Sequence, residues 1–330
     1  MTDRLNKGQQ TILFLNRRGY AGFVSCRSCG EVMKCPHCDV SLSEHKGGRL
    51  ICHYCGYTQP MPKLCPKCGS KYILGFKAGT QQIEEKLKEL YPGVRTLRMD
   101  ADTTRTKDSY EKILSSFANG EADVLIGTQM IVKGHDFPNV TLVGVLAADL
   151  SLNENDYRAG ERTFQLLTQA VGRAGRGGLP GEAVIQTYQP DHYAITCAAA
   201  QDYESFYQEE ILYRELSGYP PVAHMLAVQI YGKEEENVKQ LALRLTDVVK
   251  SNMDFLSGKQ KEQSNKKIQV LGPAPANISK INDIYRYVFY VKHAEYDVLV
   301  EVKDRLEETL RQWQPRQMSI QFDFDPVSVL

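Results

Sequence analysis

Eight of the chain's nine cysteines fall between residues 26 and 68, as four C-x-x-C pairs: Cys26/Cys29, Cys35/Cys38, Cys52/Cys55 and Cys65/Cys68. Such a turn aims two thiolates at one point, and two turns complete a tetrahedral zinc shell. Four pairs therefore suit two zinc ions, and metal binding in a reducing compartment explains the spacing better than a disulfide framework does. Thirteen residues separate Cys38 from Cys52, close to the arm of ordinary four-cysteine sites, whereas only five separate Cys29 from Cys35. The nested pairing follows, with Cys35, Cys38, Cys52 and Cys55 on an inner zinc and Cys26, Cys29, Cys65 and Cys68 on an outer one. His37, His45 and His53 are redundant beside eight thiolates. A closed four-thiolate shell offers no position for water, so the expected role is to staple a segment poor in aliphatic residues.

The staple interrupts a different pattern. Apolar runs at 11–16, 72–76, 94–99, 123–128, 141–148 and 182–188 read as strands, with helix-period segments at 79–93, 106–119 and 161–172. Strands alternating with helices predict an α/β domain with a parallel sheet, spanning 1–24 and 71–195, with 25–70 inserted. Thr80 is the expected N-cap of the first long helix, and Ile83, Leu87 and Leu90 its buried stripe. From 196 to 330 the order is β-α-β-β-α-β, the α+β split βαβ, ferredoxin-like arrangement. Tyr285, Tyr287 and Phe289 alternate along one of its strands, as core residues usually do and as a base-stacking platform also would.

Formal net charge is zero, yet residues 1–99 hold 16 Lys and Arg against 7 Asp and Glu, an excess of nine positive charges. A basic N-terminal third favours a polyanion. No apolar run reaches membrane-spanning length and no N-terminal signal pattern is present, so a cytoplasmic protein is expected, with no membrane partner.

Residues 168–177, "TQAVGRAGRG", place Gln169, Arg173 and Arg176 one and two turns apart on what reads as a helix, a pattern suited to a phosphate whose charge grows during transfer. "GTQMIVKGHDFPNV" follows a predicted strand at 127–140. The two segments resemble motifs V and VI of the superfamily 2 helicases, in their second RecA-like lobe. "FLNRRGY" (14–20), the cysteine insertion and "RMDADTT" (98–104) make the chain similar, through nearly its whole length, to the PriA family of replication-restart helicases.

That resemblance implies an ATP-dependent 3′→5′ DNA helicase working at stalled or abandoned forks, with ATP and Mg²⁺ held between two lobes. It further implies that Arg173 and Arg176 reach the γ-phosphate, that Gln169 couples nucleotide to DNA, and that Gly134 and Asp136 border the nucleotide. Thr128, Gln129, Lys133, Arg17 and Arg18 would lie along the DNA. Implied partners are forked and single-stranded DNA, single-stranded DNA-binding protein and primosome loaders. The sequence contains no G-x-x-x-x-G-K-[ST] phosphate loop, so it is expected to be the C-terminal half of such a protein and inactive alone. The alternative is a non-enzymatic, zinc-dependent adaptor for nucleic acid or protein.

Overall fold

The computed structural model describes the chain except residues 16–23, 27, 30, 39, 46–47, 53, 76–78, 101–102, 105–106, 129–130, 132–135, 153–155, 176–177, 252–266 and 328–330. The described elements begin with α1 (Thr2–Asn6), β1 (Gln10–Leu15), β2 (Val24–Cys26), β3 (Ser43–His45), β4 (Arg49–Ile51), β5 (Thr58–Pro60) and β6 (Ile73–Gly75). Next come α2 (Thr80–Leu90), β7 (Thr96–Met99), α3 (Lys107–Ala118), β8 (Val124–Gly127), β9 (Val140–Leu146), α4 (Asp149–Leu152), α5 (Ala159–Val171), β10 (Glu182–Ile185), α6 (Tyr193–Ala200) and α7 (Tyr203–Ser217). The last are β11 (His224–Gly232), α8 (Glu235–Ser251), β12 (Gln269–Ile281), β13 (Ile284–His293), α9 (Tyr296–Trp313) and β14 (Met318–Phe324). They form two compact units, Met1–Gly22 with Phe76–Glu210, and Phe23–Gly75 with Ile211–Leu330.

In the first unit, β1 is the centre of a five-stranded sheet in the order β10-β9-β1-β8-β7. All four pairings are parallel. Strands covered on both faces must be apolar throughout, and β8 (Val-Leu-Ile-Gly) is buried at all four positions. Phe14, Phe117, Leu125 and Leu167 fill the main core, each burial stabilising the fold by about 1.5–3 kcal/mol before entropy is charged against it. Helix α2 departs from expectation at two points. Gly79 is its N-cap, while the Thr80 hydroxyl reaches the Asp100 carboxylate at 2.5 Å. Leu87 is buried and packs with Ile83 and Tyr91, but Leu90 is 60% exposed, because the buried stripe follows the i, i+4 spacing of 83, 87 and 91. The unit ends at Glu210 rather than near residue 195, since α6 and the start of α7 give Ala194, Ile195, Ala198 and Phe206 to this core.

In the second unit, the cysteine segment folds as a two-stranded sheet of β2 and β6 and a three-stranded sheet of β3, β4 and β5. Ile73–Gly75, within the apolar run read as a lobe strand, therefore closes the base of the insertion, pairing antiparallel with Val24–Cys26. The C-terminal domain is an antiparallel sheet in the order β12-β13-β11-β14, with α8 and α9 packed on one face through Val238, Leu245, Leu299 and Leu306. Phe289 is fully buried there, Tyr287 nearly so, and Tyr285 packs against the same cluster. The alternating aromatics are thus core. Strand β12 runs from Gln269 through Pro273 and Pro275 to Ile281, with register shifts at Leu271/Ala274 and Pro275/Lys280. It lies at the sheet edge, where Pro273 and Pro275 remove no ladder bond from a second neighbour.

Candidate functional site

The nested cysteine pairing is the one the fold brings together. Cys26, Cys29, Cys65 and Cys68 form one cluster and Cys35, Cys38, Cys52 and Cys55 another, with the sulfurs of each cluster within 4.8 Å of one another. Sulfur separations are 3.7 Å for Cys26–Cys68 and for Cys29–Cys65, and 3.6 Å for Cys35–Cys55. A tetrahedron with metal–sulfur bonds of about 2.3 Å has an edge of about 3.8 Å, so the donor sets fit zinc, whereas a disulfide needs about 2.05 Å. Two of the turns close on a glycine: the Gly56 N–H donates to the Cys52 carbonyl at 3.0 Å and the Gly69 N–H to the Cys65 carbonyl at 2.9 Å. Both glycines have positive φ, 75° and 70°, which a side chain would oppose.

Thiols this close do not ionise independently. Burial works against ionisation of Cys26, but the N–H groups of Cys29 and Ser28 prevail and hold it down at about 6. Cys68 accepts a bond from the Ser70 backbone, yet the adjoining thiols of Cys29, Cys26 and Cys65 push it up to about 12. Burial, then Cys55 and Cys52, push Cys38 up to about 12 against a bond from the Asn282 N–H. A divalent cation at each centre would be held by all four sulfurs as thiolates, offsetting the burial and neighbouring thiols that oppose their ionisation.

The arginine segment is built differently from the expected continuous helix. Helix α5 stops at Val171 with Gly172 as its C-cap, so Gln169 is an exposed helical residue and Arg173 lies in the turn beyond. The Arg173 N–H donates to the Ala170 carbonyl at 3.1 Å, and Gly175, at φ 80°, donates to the Val140 carbonyl at 3.0 Å. Val140 opens β9, so the turn is fastened to the edge of the sheet where its strands begin. Asp136, exposed, precedes that same point, with Phe137 buried and its carbonyl accepting from the Val140 N–H at 3.1 Å. Thr128 directly follows β8 and so belongs to the opposite edge, where the strands end. Between these two points Ile131 and Phe137 are buried. Arg176, Gly134, Gln129, Lys133, Arg17 and Arg18 lie outside the described residues.

Gly181 sits against the arginine turn. A Cβ there would lie 2.4 Å from the Gly175 nitrogen and from the Ala174 carbonyl carbon. The "GGLPG" run held the signal, since a chain returning from the arginine turn into β10 needs a residue without a side chain at the crossing. Among the described residues no helix is long and apolar enough to cross a membrane.

Comparison with known proteins accounts for each segment. The Helicase conserved C-terminal domain model matches residues 64–178, the PriA DNA helicase Cys-rich region domain 35–60, and the Primosomal protein N C-terminal domain 215–327. The chain is 43% identical to the replication restart protein PriA of Bacillus subtilis over 332 residues, covering 100% of the chain and 40% of that protein. It is 41% identical to the PriA of Synechocystis, covering 98% of the chain and 38% of the relative, and 35% identical to that of Haemophilus influenzae, covering 96% and 41%. The chain therefore spans about 40% of the length of these curated relatives. With a zinc-binding cysteine module joined to a helicase C-terminal lobe and followed by the primosomal C-terminal domain, the chain belongs to the PriA family and corresponds to its C-terminal region.

Proposed function

We propose that this chain is the second motor lobe, zinc module and C-terminal domain of an ATP-dependent 3′→5′ DNA helicase that recognises abandoned replication forks and restarts replication by primosome assembly. The observation that carries this reading is the Gly175 N–H bond to the Val140 carbonyl, which fastens the arginine turn beside the segment leading from Asp136 into β9. A guanidinium and a carboxylate-bearing loop at one sheet edge suit the triphosphate and sugar of a nucleotide held against another lobe. In this reading Arg173 and Arg176 neutralise charge growing on the γ-phosphate, Gln169 couples the nucleotide to DNA, and Gly134 and Asp136 line the nucleotide. Mg²⁺ accompanies ATP and is held by the lobe that carries the phosphate loop.

The DNA track is assigned to Thr128, Gln129, Lys133, Arg17 and Arg18. Strands β1 and β8 are parallel neighbours in register at Leu13/Ile126 and Phe14/Gly127, which supports one shared track for the two segments that follow them. Thr128 and Asp136 are only eight residues apart in the chain, so hydrolysis at one edge is coupled to strand movement at the other. Two zinc ions, one on Cys26, Cys29, Cys65 and Cys68 and one on Cys35, Cys38, Cys52 and Cys55, hold the module rigid. Proposed partners are forked and single-stranded DNA, single-stranded DNA-binding protein and the primosome loaders, in the cytoplasm.

The test joins these 330 residues to the remainder of the Bacillus subtilis relative in place of its own matching region. The hybrid is expected to hydrolyse ATP in response to single-stranded DNA, while the 330-residue chain alone does not. Turnover by the chain alone would overturn the proposal that its arginines complete a site shared with another lobe.

A further inference from the structure

We propose that the tip of the β12–β13 hairpin is a clamp on the inner metal centre, so that metal retention at Cys35/Cys38/Cys52/Cys55 and seating of the C-terminal domain against the zinc module are one coupled equilibrium. The inference rests on the two-zinc reading and goes beyond it, because it assigns a metal-centre role to residues almost 250 positions away in the chain.

The hairpin turns at Asn282 and Asp283, both in the left-handed region with φ of 51° and 59°. That geometry points two successive backbone N–H groups out of the sheet, and both land on the Cys35–Cys38 turn. Asp283 donates to the His37 carbonyl at 2.8 Å, and Asn282 donates to the Cys38 sulfur at 3.2 Å. Two side chains extend the contact: the Lys280 ammonium donates to the Pro36 carbonyl at 3.0 Å, and the Asp283 carboxylate meets His37 Nδ1 at 2.6 Å. Ile281 packs on the module's own apolar cluster. Pro36, His37 and Cys38 are thus each engaged by the C-terminal domain.

An N–H aimed at a metal-bound thiolate spreads its charge and fixes its direction, and loss of such outer contacts typically costs about 10–100-fold in metal affinity. With the hairpin seated Cys38 is 1% exposed, so the Asn282 N–H takes the place a water would otherwise fill. The outer centre has two exposed cysteines, Cys29 and Cys68, open to water in a way Cys38 is not. Linkage makes the effect reciprocal: whatever the hairpin adds to metal binding, the metal adds to hairpin docking.

Two measurements on the full 330-residue chain test this. In the first, the chain is loaded with ¹¹³Cd and its two tetrathiolate resonances are followed during chelator challenge. The double variant Lys280→Ala/Asp283→Ala is expected to shift the inner resonance and speed loss of the inner metal by about 10-fold or more, leaving the outer one unchanged. In the second, amide exchange at Asn282 and Asp283 is compared between chains lacking one metal. Exchange is expected to accelerate in Cys52→Ser/Cys55→Ser and to stay slow in Cys65→Ser/Cys68→Ser. Unchanged inner resonance and release together with unchanged amide exchange overturn the clamp. A wild-type chain binding fewer than two metals sinks the two-zinc reading itself, a result that elemental analysis separates from failure of the clamp.

Discussion

A methyl group on Gly181 would lie 2.4 Å from the backbone nitrogen of Gly175. The two glycines meet where the chain leaves the arginine turn and returns to the sheet. Their close approach packs the turn that carries Arg173 against the strand that follows. The substitution Gly181→Ala is expected to destabilise the first unit by about 1–3 kcal/mol through this overlap. Gly178, with φ 79° and nothing within 4 Å of a built Cβ, carries only the backbone penalty, so Gly178→Ala is expected to cost about 1 kcal/mol. Chemical denaturation of the two variants measures the difference; equal losses would remove the close approach from the account.

Metal content separates the two cysteine clusters. The purified chain is expected to hold two zinc ions, Cys26→Ser to lose the outer one, and Cys52→Ser to lose the inner one. Elemental analysis after gel filtration reads the count. Loss of both ions from either single variant would show one cooperative cluster rather than two centres.

Lys292 supplies a pH dependence. Burial holds its ammonium down to about 8, from 10.5, although it donates to the Ser217 carbonyl at 3.1 Å and sits 3.3 Å from the centre of the Tyr219 ring. Between those two values the unfolded chain binds more protons than the folded one, so stability rises with pH across the window and the penalty is present in full below it. Relative to Lys292→Met, the wild-type chain is expected to gain up to about 3 kcal/mol as pH is raised from below 8 to 10.5. Urea melts at the two ends of that range measure it. A difference independent of pH would mean that Lys292 keeps an ordinary pKa.

The parts most legible in the sequence were those set by spacing. Cysteine intervals gave the nested clusters, and alternating apolar runs gave the parallel sheet and the split βαβ domain, because local periodicity and loop length determine both. Features made by contact between distant segments were not legible. Thr80 reads as a cap, yet its hydroxyl serves Asp100. The run at 72–76 reads as a lobe strand, yet its partner is Val24–Cys26. Helices α6 and α7 escaped notice because their apolar residues include many alanines and tyrosines without a clean stripe, and packing against Phe164 supplied what periodicity did not. The extension of β12 to the zinc module was masked by Pro273 and Pro275, which read as a loop until edge placement is known. In the candidate site, the arginine pattern was visible at once, but its attachment to Val140 was not.

Arg173 is proposed to act on a nucleotide held with the help of another lobe. DNA-stimulated ATP hydrolysis by the hybrid described above, with and without Arg173→Ala, measures this most directly. Turnover is expected to fall by about 10³-fold or more, with affinity for single-stranded DNA essentially unchanged. Undiminished turnover, or a loss of turnover matched by loss of DNA binding, would contradict the assignment.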